Sequence, residues 1–191
     1  MEPMRIIAGK FRGRRLKSPP SLQTRPTSDR LRETLFNILA PRIVGARVLD
    51  LCAGTGAVGI EALSRGAAHA TFVDQSRKMG ALIEENIEAL KVDENEIEIV
   101  TSEAFDFLRK LSKKATPPFD LIFFDPPYAA DYEIVFDYIG EHATEVLTKT
   151  GVLIVEHDKK KELSEEAGQL KRYRVVKQGD SSLSFYRADA Q

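Results

Sequence analysis

The chain has 191 residues, of which 42% are hydrophobic, 30% are charged and one is cysteine. That is enough apolar material for one sizeable core and too little cysteine for an internal disulfide, and no apolar run approaches the roughly 20 residues a membrane helix needs. The net charge of −1 hides an uneven distribution: residues 1–47 hold 11 Lys and Arg against 3 Asp and Glu, a net of +8, whereas the remaining 144 hold 17 against 26, a net of −9.

A cationic leader on an anionic body suits a protein that holds a polyanion on one face and stays soluble on the rest. The opening MEPMRIIAGKFRGRR puts charges where the apolar core of a secretory leader would stand, and with the lone Cys52 it predicts a cytoplasmic protein. Cys52, among small residues, reads as an inert buried thiol.

In chain order, MRIIAGKFRGRRLKSP predicts a short β-hairpin. Lys10, Arg12, Arg14, Arg15 and Lys17 on it would form a phosphate clamp beside a ligand crevice, with Phe11 available to pack across the hairpin or to stack on a base. SDRLRETLFNIL predicts a helix with Ser28 as N-cap and Leu31, Leu35, Ile38 and Leu39 as its apolar face. The division implied is an extension at 1–27 and a main domain at 28–191.

From Arg47 onward, strand-like runs alternate with helical stretches: VLDL (48–51), ATFVD (70–74), IEIV (97–100), DLIFFD (120–125) and GVLIVE (151–156). Met79, Ile83, Ile87 and Leu90 make one apolar stripe over 76–90. Repeated βα units whose strands are apolar on both faces predict an α/β fold with a parallel sheet covered by helices. YRVVKQ (173–178) and LSFYR (183–187), separated by Gly179-Asp180-Ser181-Ser182, predict a terminal antiparallel hairpin. His69, His142 and His157 are scattered, and no His/Cys cluster with zinc spacing exists.

VLDLCAGTGAVGIEAL (48–63) reads as a strand, a tight glycine loop and a helix start. Its G-x-G-x-x-G pattern alone fits a dinucleotide as well as other nucleosides. Asp50, at the end of the first strand, separates the two, because a carboxylate there repels a pyrophosphate and suits the sulfonium and amino group of S-adenosylmethionine. Asp74, at the end of the second strand, is placed for a ribose in either case. This region resembles the class I S-adenosylmethionine-dependent methyltransferases. The resemblance implies a Rossmann-like, seven-stranded, mostly parallel sheet, with Ala53, Gly54 and Gly56 cupping the methionine part and Asp74 on the ribose hydroxyls. Ser102, Glu103 or the backbone of Ala104 would lie near the adenine, with Glu103 standing where many relatives carry Asp.

The fourth apolar run ends in Asp125-Pro126-Pro127-Tyr128. Parallel α/β sheets bind ligands beyond the carboxyl ends of their strands, so Asp125 should emerge beside the glycine loop. A carboxylate there can accept an N–H of an exocyclic amine and steady the charge that builds on nitrogen as a methyl arrives. The Pro126 carbonyl can accept the second N–H, Pro127 stiffens the turn, and Tyr128 offers a stacking face. DPPY resembles the motif of amino-directed methyltransferases acting on adenine N6, guanine N2 or glutamine amides.

MRIIAGKFRGRRLKSP, TRPTSDRLRETLFNIL, LDLCAGTGAVGIEALSRGA and DPPY together resemble the bacterial 16S ribosomal RNA guanine-N2 methyltransferases named for guanine 966. The resemblance runs over nearly the whole chain and implies that Arg25, Pro26, Thr27, Ser28 and Asp29 close the cofactor pocket as a lid. It implies 16S ribosomal RNA or the small ribosomal subunit as partner; the short apolar runs predict no membrane association, and a monomer is the expected state. An adenine-N6 methyltransferase shares DPPY and stays open as the rival within the class. A non-catalytic RNA-binding assembly factor is the rival outside it, though neither DPPY nor the glycines show decay.

Overall fold

The computed structural model describes residues 4–19, 29–112, 116–126 and 132–188. Among these residues eight strands form one sheet in the order β3-β2-β1-β4-β5-β8-β7-β6. β1 (Arg47–Leu51), β2 (His69–Asp74), β3 (Ile97–Thr101), β4 (Phe119–Phe124) and β5 (Leu147–Asp158) run parallel, and β8 (Ser181–Ala188) lies antiparallel to β5 and to β7 (Leu170–Gln178). The eighth strand is β6, two residues at Glu166–Ala167, which extends the seven-stranded arrangement by one short edge.

Alternation along the strands divides the interior. Val48 of β1 faces a core built with α1 (Asp29–Ile43), α2 (Ala57–Ser64) and α3 (Arg77–Leu90). Leu49 and Leu51 face the second core, built with α4 (Ala104–Leu111), α5 (Tyr132–Glu141) and α6 (Ala143–Val146). The β1–β4 register sets Asp50 opposite Phe123 and Leu51 opposite Phe124, so the two strands that carry the glycine loop and Asp125 end side by side.

Two segments differ from their sequence expectation. The terminal hairpin turns on Gly179-Asp180 alone, because Ser181 already pairs with Gln178; Gly179, with φ 63°, supplies the positive torsion a two-residue hairpin turn requires. β5 begins at Leu147 rather than Gly151, its extra residues reached through a register shift opposite Phe119.

The leader folds back as predicted: Arg5 bridges Arg15, and Leu16 N–H donates to the Met4 carbonyl at 2.9 Å. Met4, Ile6 and Leu16 are buried in the first core. The hairpin is fastened through α2, where fully buried Glu61 accepts the backbone amides of Ile7 and Ala8 at 2.8 and 3.0 Å and Arg65 Nε at 2.7 Å. At Gly9 (φ 83°) any side chain would strike the Ser64 carbonyl, so the tip sits directly on the end of α2. Among the described residues no helix is long and apolar enough to cross a membrane.

Candidate active site

The loop after β1 is set by backbone torsions that few residues tolerate. Cys52, a non-glycine, has φ 67°, and Gly54 and Gly56 have φ 55° and 74°. The Ala53 amide donates to the Val73 carbonyl at 2.9 Å, pinning the loop against β2. The two glycines serve different ends. A Cβ on Gly56 would lie 3.0 Å from Ile83 and 3.3 Å from Phe72, so it must be small to pack; a Cβ on Gly54 would meet nothing within 4 Å, so its bareness leaves open room above the loop.

Asp74 completes the loop from β2. Its carboxylate accepts the Gly54 amide at 2.8 Å through one oxygen and the Ser76 amide at 2.8 Å through the other. Ser102, at the end of β3, donates its amide to the Asp74 carbonyl at 3.0 Å, and its hydroxyl donates to the Glu103 carbonyl. Glu103 is the N-cap residue of α4, and Ala104 is the helix's first residue. The predicted loop, ribose and adenine residues are therefore contiguous along the carboxyl ends of β1, β2 and β3.

Asp50 requires a correction. Its carboxylate does not stand on the open face of the loop; it is 2% exposed and accepts the Gly59 amide at 2.9 Å beneath the loop. α2 has Gly56 as N-cap with no side-chain capping bond of its own, so Asp50 supplies the cap from the neighbouring strand. Burial pushes its carboxyl up to about 7, the Gly59 bond opposes that rise, and the charge of Asp74 adds to it. The Cys52 thiol, half-buried, is pushed up to about 12 by burial and then by Asp74, Asp125 and Asp50, so it stays protonated. Three carboxylates thus bear on the one turn, and the site favours a cationic ligand.

Asp125 follows β4, its amide donating to the Leu51 carbonyl at 3.4 Å. Its carboxyl is raised well above the usual carboxylate range by burial first, then by Glu156 and Asp50. It lines a cleft with Pro126, Tyr132, Glu156, His157, Asp158 and Lys161. Lys161 Nζ stands 3.5 Å from the centre of the Tyr132 ring. His157, given no role from sequence, forms part of this wall; Nε2 bonds Ser184 Oγ at 2.9 Å, and burial lowers its pKa, so the ring is neutral. Glu156 likewise carries no signal of its own in the sequence beyond its place, since GVLIVE ends an apolar strand with an acid just as DLIFFD does. Arg25, Pro26, Thr27, Ser28, Pro127 and Tyr128 lie outside the described residues.

The basic leader is arranged otherwise than predicted. Lys10 pairs with Glu96 at 3.1 Å, Lys17 with Glu85 at 2.8 Å, and Arg14 donates to the Ala89 carbonyl at 2.8 Å. Among the described residues only Arg12 and Arg15 of the five cations make no ion pair or hydrogen bond through their side chains. The hairpin tip sits by Ser64 and Glu96, at the amino ends of the strands, so Lys10 and Arg12 are not beside the crevice. Phe11 packs against the first core, as hairpin packing predicts.

A parallel sheet that opens on a bare, acid-ringed loop and closes with an inserted antiparallel strand is the architecture of the class I methyltransferases. The chain belongs to the family described as Conserved hypothetical protein 95, which matches residues 4–187. It is 47% identical over 125 residues to Ribosomal RNA small subunit methyltransferase D of Escherichia coli K12, a match covering 65% of this chain and 60% of that protein. It is 36% identical over 185 residues to the YlbH protein of Bacillus subtilis, covering 96% and 98% of the two. The solved structure of Escherichia coli yhhF superposes with a TM-score of 0.84 at 34% identity, covering 100% of both chains. The family resemblance drawn from the sequence thereby stands as membership.

Proposed function

We propose that the protein transfers the methyl group of S-adenosylmethionine to the exocyclic N2 of a guanine in 16S ribosomal RNA. The observation that carries this reading is the adjacency of Asp125 to the glycine loop, made by the Asp125 amide on the Leu51 carbonyl at 3.4 Å and by the pairing of β1 with β4. The name of the Escherichia coli relative, Ribosomal RNA small subunit methyltransferase D, supports ribosomal RNA as the substrate class.

S-adenosylmethionine, when bound, supplies an electrophilic methyl on a cationic sulfur. The room over Gly54 would accept its amino-acid end, Asp74 would take the ribose hydroxyls, and Ser102, Glu103 and Ala104 would border the adenine. Arg25 and Thr27 would close over it. The Asp125 carboxylate accepts one N–H of the target amine and the Pro126 carbonyl the other, which aims the nitrogen lone pair at the methyl carbon. As the N–C bond forms and the S–C bond breaks with its electron pair left on sulfur, the amine becomes acidic. Asp125 takes its proton, a step favoured by a carboxyl already raised by burial. Tyr128 would stack on the base, with Pro127 holding the turn.

In this reading residues 1–27 form an RNA-facing extension and residues 28–191 the transferase domain. Arg12 and Arg15 supply the unengaged charge, with Lys10, Arg14 and Lys17 as secondary contacts. The enzyme acts as a monomer in the cytoplasm on RNA of the small ribosomal subunit. Mass mapping of 16S ribosomal RNA from cells with and without the protein tests this. One N2-methylguanosine should disappear on deletion and return with the wild-type chain but not with Asp125→Ala; an unchanged methylation map would refute it.

A further inference from the structure

The cleft beyond β4 and β5 holds a second carboxylate to which the reaction above gives no role. The parallel register sets Phe124 opposite Val155, so Asp125, which follows β4, and Glu156 of β5 come next at the carboxyl edge, their backbones about one strand spacing of 4.8 Å apart. Two-residue alternation from Phe123 and Ile154, both in the first core, puts the two acids on one face. Both line the same cleft, and Glu156 is only 8% exposed. Its charge acts on Asp125 strongly enough to rank directly after burial among the causes that raise that carboxyl.

We propose that Glu156 is a specificity residue that reads the N1–H of the target guanine while Asp125 holds the adjoining N2 amine. This rests on the guanine-N2 reading above and names the group that makes it selective. The Watson–Crick edge of guanine presents two neighbouring donors, N1–H and N2–H, and two neighbouring carboxylates are acceptors for both. Adenine presents its amine beside an N1 lone pair. With the amine on Asp125, that lone pair faces the Glu156 carboxylate, acceptor against acceptor. DPPY alone serves either base, so discrimination has to come from whatever lies beside it, and Glu156 lies there. Among the other walls of the cleft, His157 is neutral and bonded to Ser184, the Asp158 carboxylate accepts the Lys160 amide at 2.8 Å, and Lys161 lies over Tyr132.

The test uses small ribosomal subunits reconstituted with 16S ribosomal RNA carrying either guanine or 2-aminopurine at the methylated position. 2-Aminopurine keeps the exocyclic 2-amino group but has a bare N1. Wild-type enzyme should prefer guanine in single-turnover transfer by roughly 10- to 100-fold, the scale of a two-bond base contact. Glu156→Gln, whose amide can donate to a bare N1 as well as accept from N1–H, should slow guanine and bring the two rates within about threefold of each other. Comparing the ratio between enzymes cancels the intrinsic difference in amine reactivity. S-adenosylmethionine affinity by calorimetry should be unchanged, which separates lost selectivity from lost folding, and Glu156→Asp should retain part of the preference. A Glu156→Gln enzyme with the wild-type ratio overturns the proposal. Wild-type enzyme that methylates neither particle overturns the guanine-N2 reading itself, and this inference with it.

Discussion

The Asp50 carboxylate accepts the Gly59 amide at 2.9 Å, so a residue in the middle of the sheet caps the helix that follows the cofactor loop. Asp50→Ala should therefore act through geometry, destabilising the protein by about 1–2 kcal/mol as a lost cap does and weakening S-adenosylmethionine binding because the loop loosens. Asp50→Asn keeps an acceptor oxygen and should keep most of the stability. Thermal denaturation beside calorimetric titration checks both; equal melting temperatures for the Ala and wild-type proteins would refute the capping role.

The raised carboxyl of Asp50 also predicts linkage to pH. Its folded value of about 7 lies above the ordinary carboxylate value, so between about pH 4 and 7 the folded state holds the extra proton, and stability from this group falls as pH rises through that window. A cation over the loop favours the charged carboxylate. S-adenosylmethionine binding near pH 7 should then release protons, and its affinity should rise as pH increases from 6 to 8. Titration calorimetry in buffers of different ionisation enthalpy measures the release, which Asp50→Asn should reduce.

The two loop glycines should respond differently to substitution. Gly56→Val adds a branched side chain where a Cβ already comes within 3.0 Å of Ile83, at φ 74°, and should cost about 2 kcal/mol or more of stability. Gly54→Ala meets no protein atom, so its cost should stay near the roughly 1–2 kcal/mol of a left-handed torsion while cofactor affinity drops more steeply. Denaturant unfolding and equilibrium binding of the two variants, compared side by side, distinguish packing from ligand room.

At Asp125 the expected effect lies on rate. Asp125→Asn retains shape and loses charge, so single-turnover methyl transfer at saturating cofactor and RNA should fall by roughly 100-fold or more, with S-adenosylmethionine affinity little changed. A wild-type rate would leave Asp125 as a turn residue and nothing more.

For RNA binding, the pairing of the leader cations sorts their contributions. Arg12→Gln with Arg15→Gln should flatten the salt dependence of log affinity by about 0.7–0.9 for each phosphate that is no longer neutralised. Lys10→Gln and Lys17→Gln should flatten it less, since Glu96 and Glu85 already neutralise those charges. Binding measured from low to moderate salt gives the slopes; identical slopes for the two pairs of variants would mean the ion pairs do not persist in solution.

Much of the fold could be read from residues alone because it depends on local period and local torsion. Runs such as VLDL, ATFVD and DLIFFD are apolar on both faces and, alternating with helical stretches, read as interior strands, and each appears within a residue or so of its expected place. The glycine loop was legible because only glycine takes such torsions cheaply, and DPPY because proline and a terminal acid mark the end of a buried strand. What the sequence could not convey were facts about which side chains meet across the chain. That Asp50 turns under the loop to cap α2 depends on helix placement. That Glu61 anchors the hairpin depends on hydrogen bonds between residues 53 and 54 positions apart in sequence. That Lys10 and Lys17 are paired, and that the hairpin tip sits at the far edge of the sheet, depends on α3 and the turn before β3 packing beside it. Glu156 joins Asp125 only because β5 lies next to β4 in register. The physical reason is the same in each case: torsion and hydrophobic period act over a few neighbouring residues, whereas burial of a charge and the partner that receives it are decided only when distant elements pack.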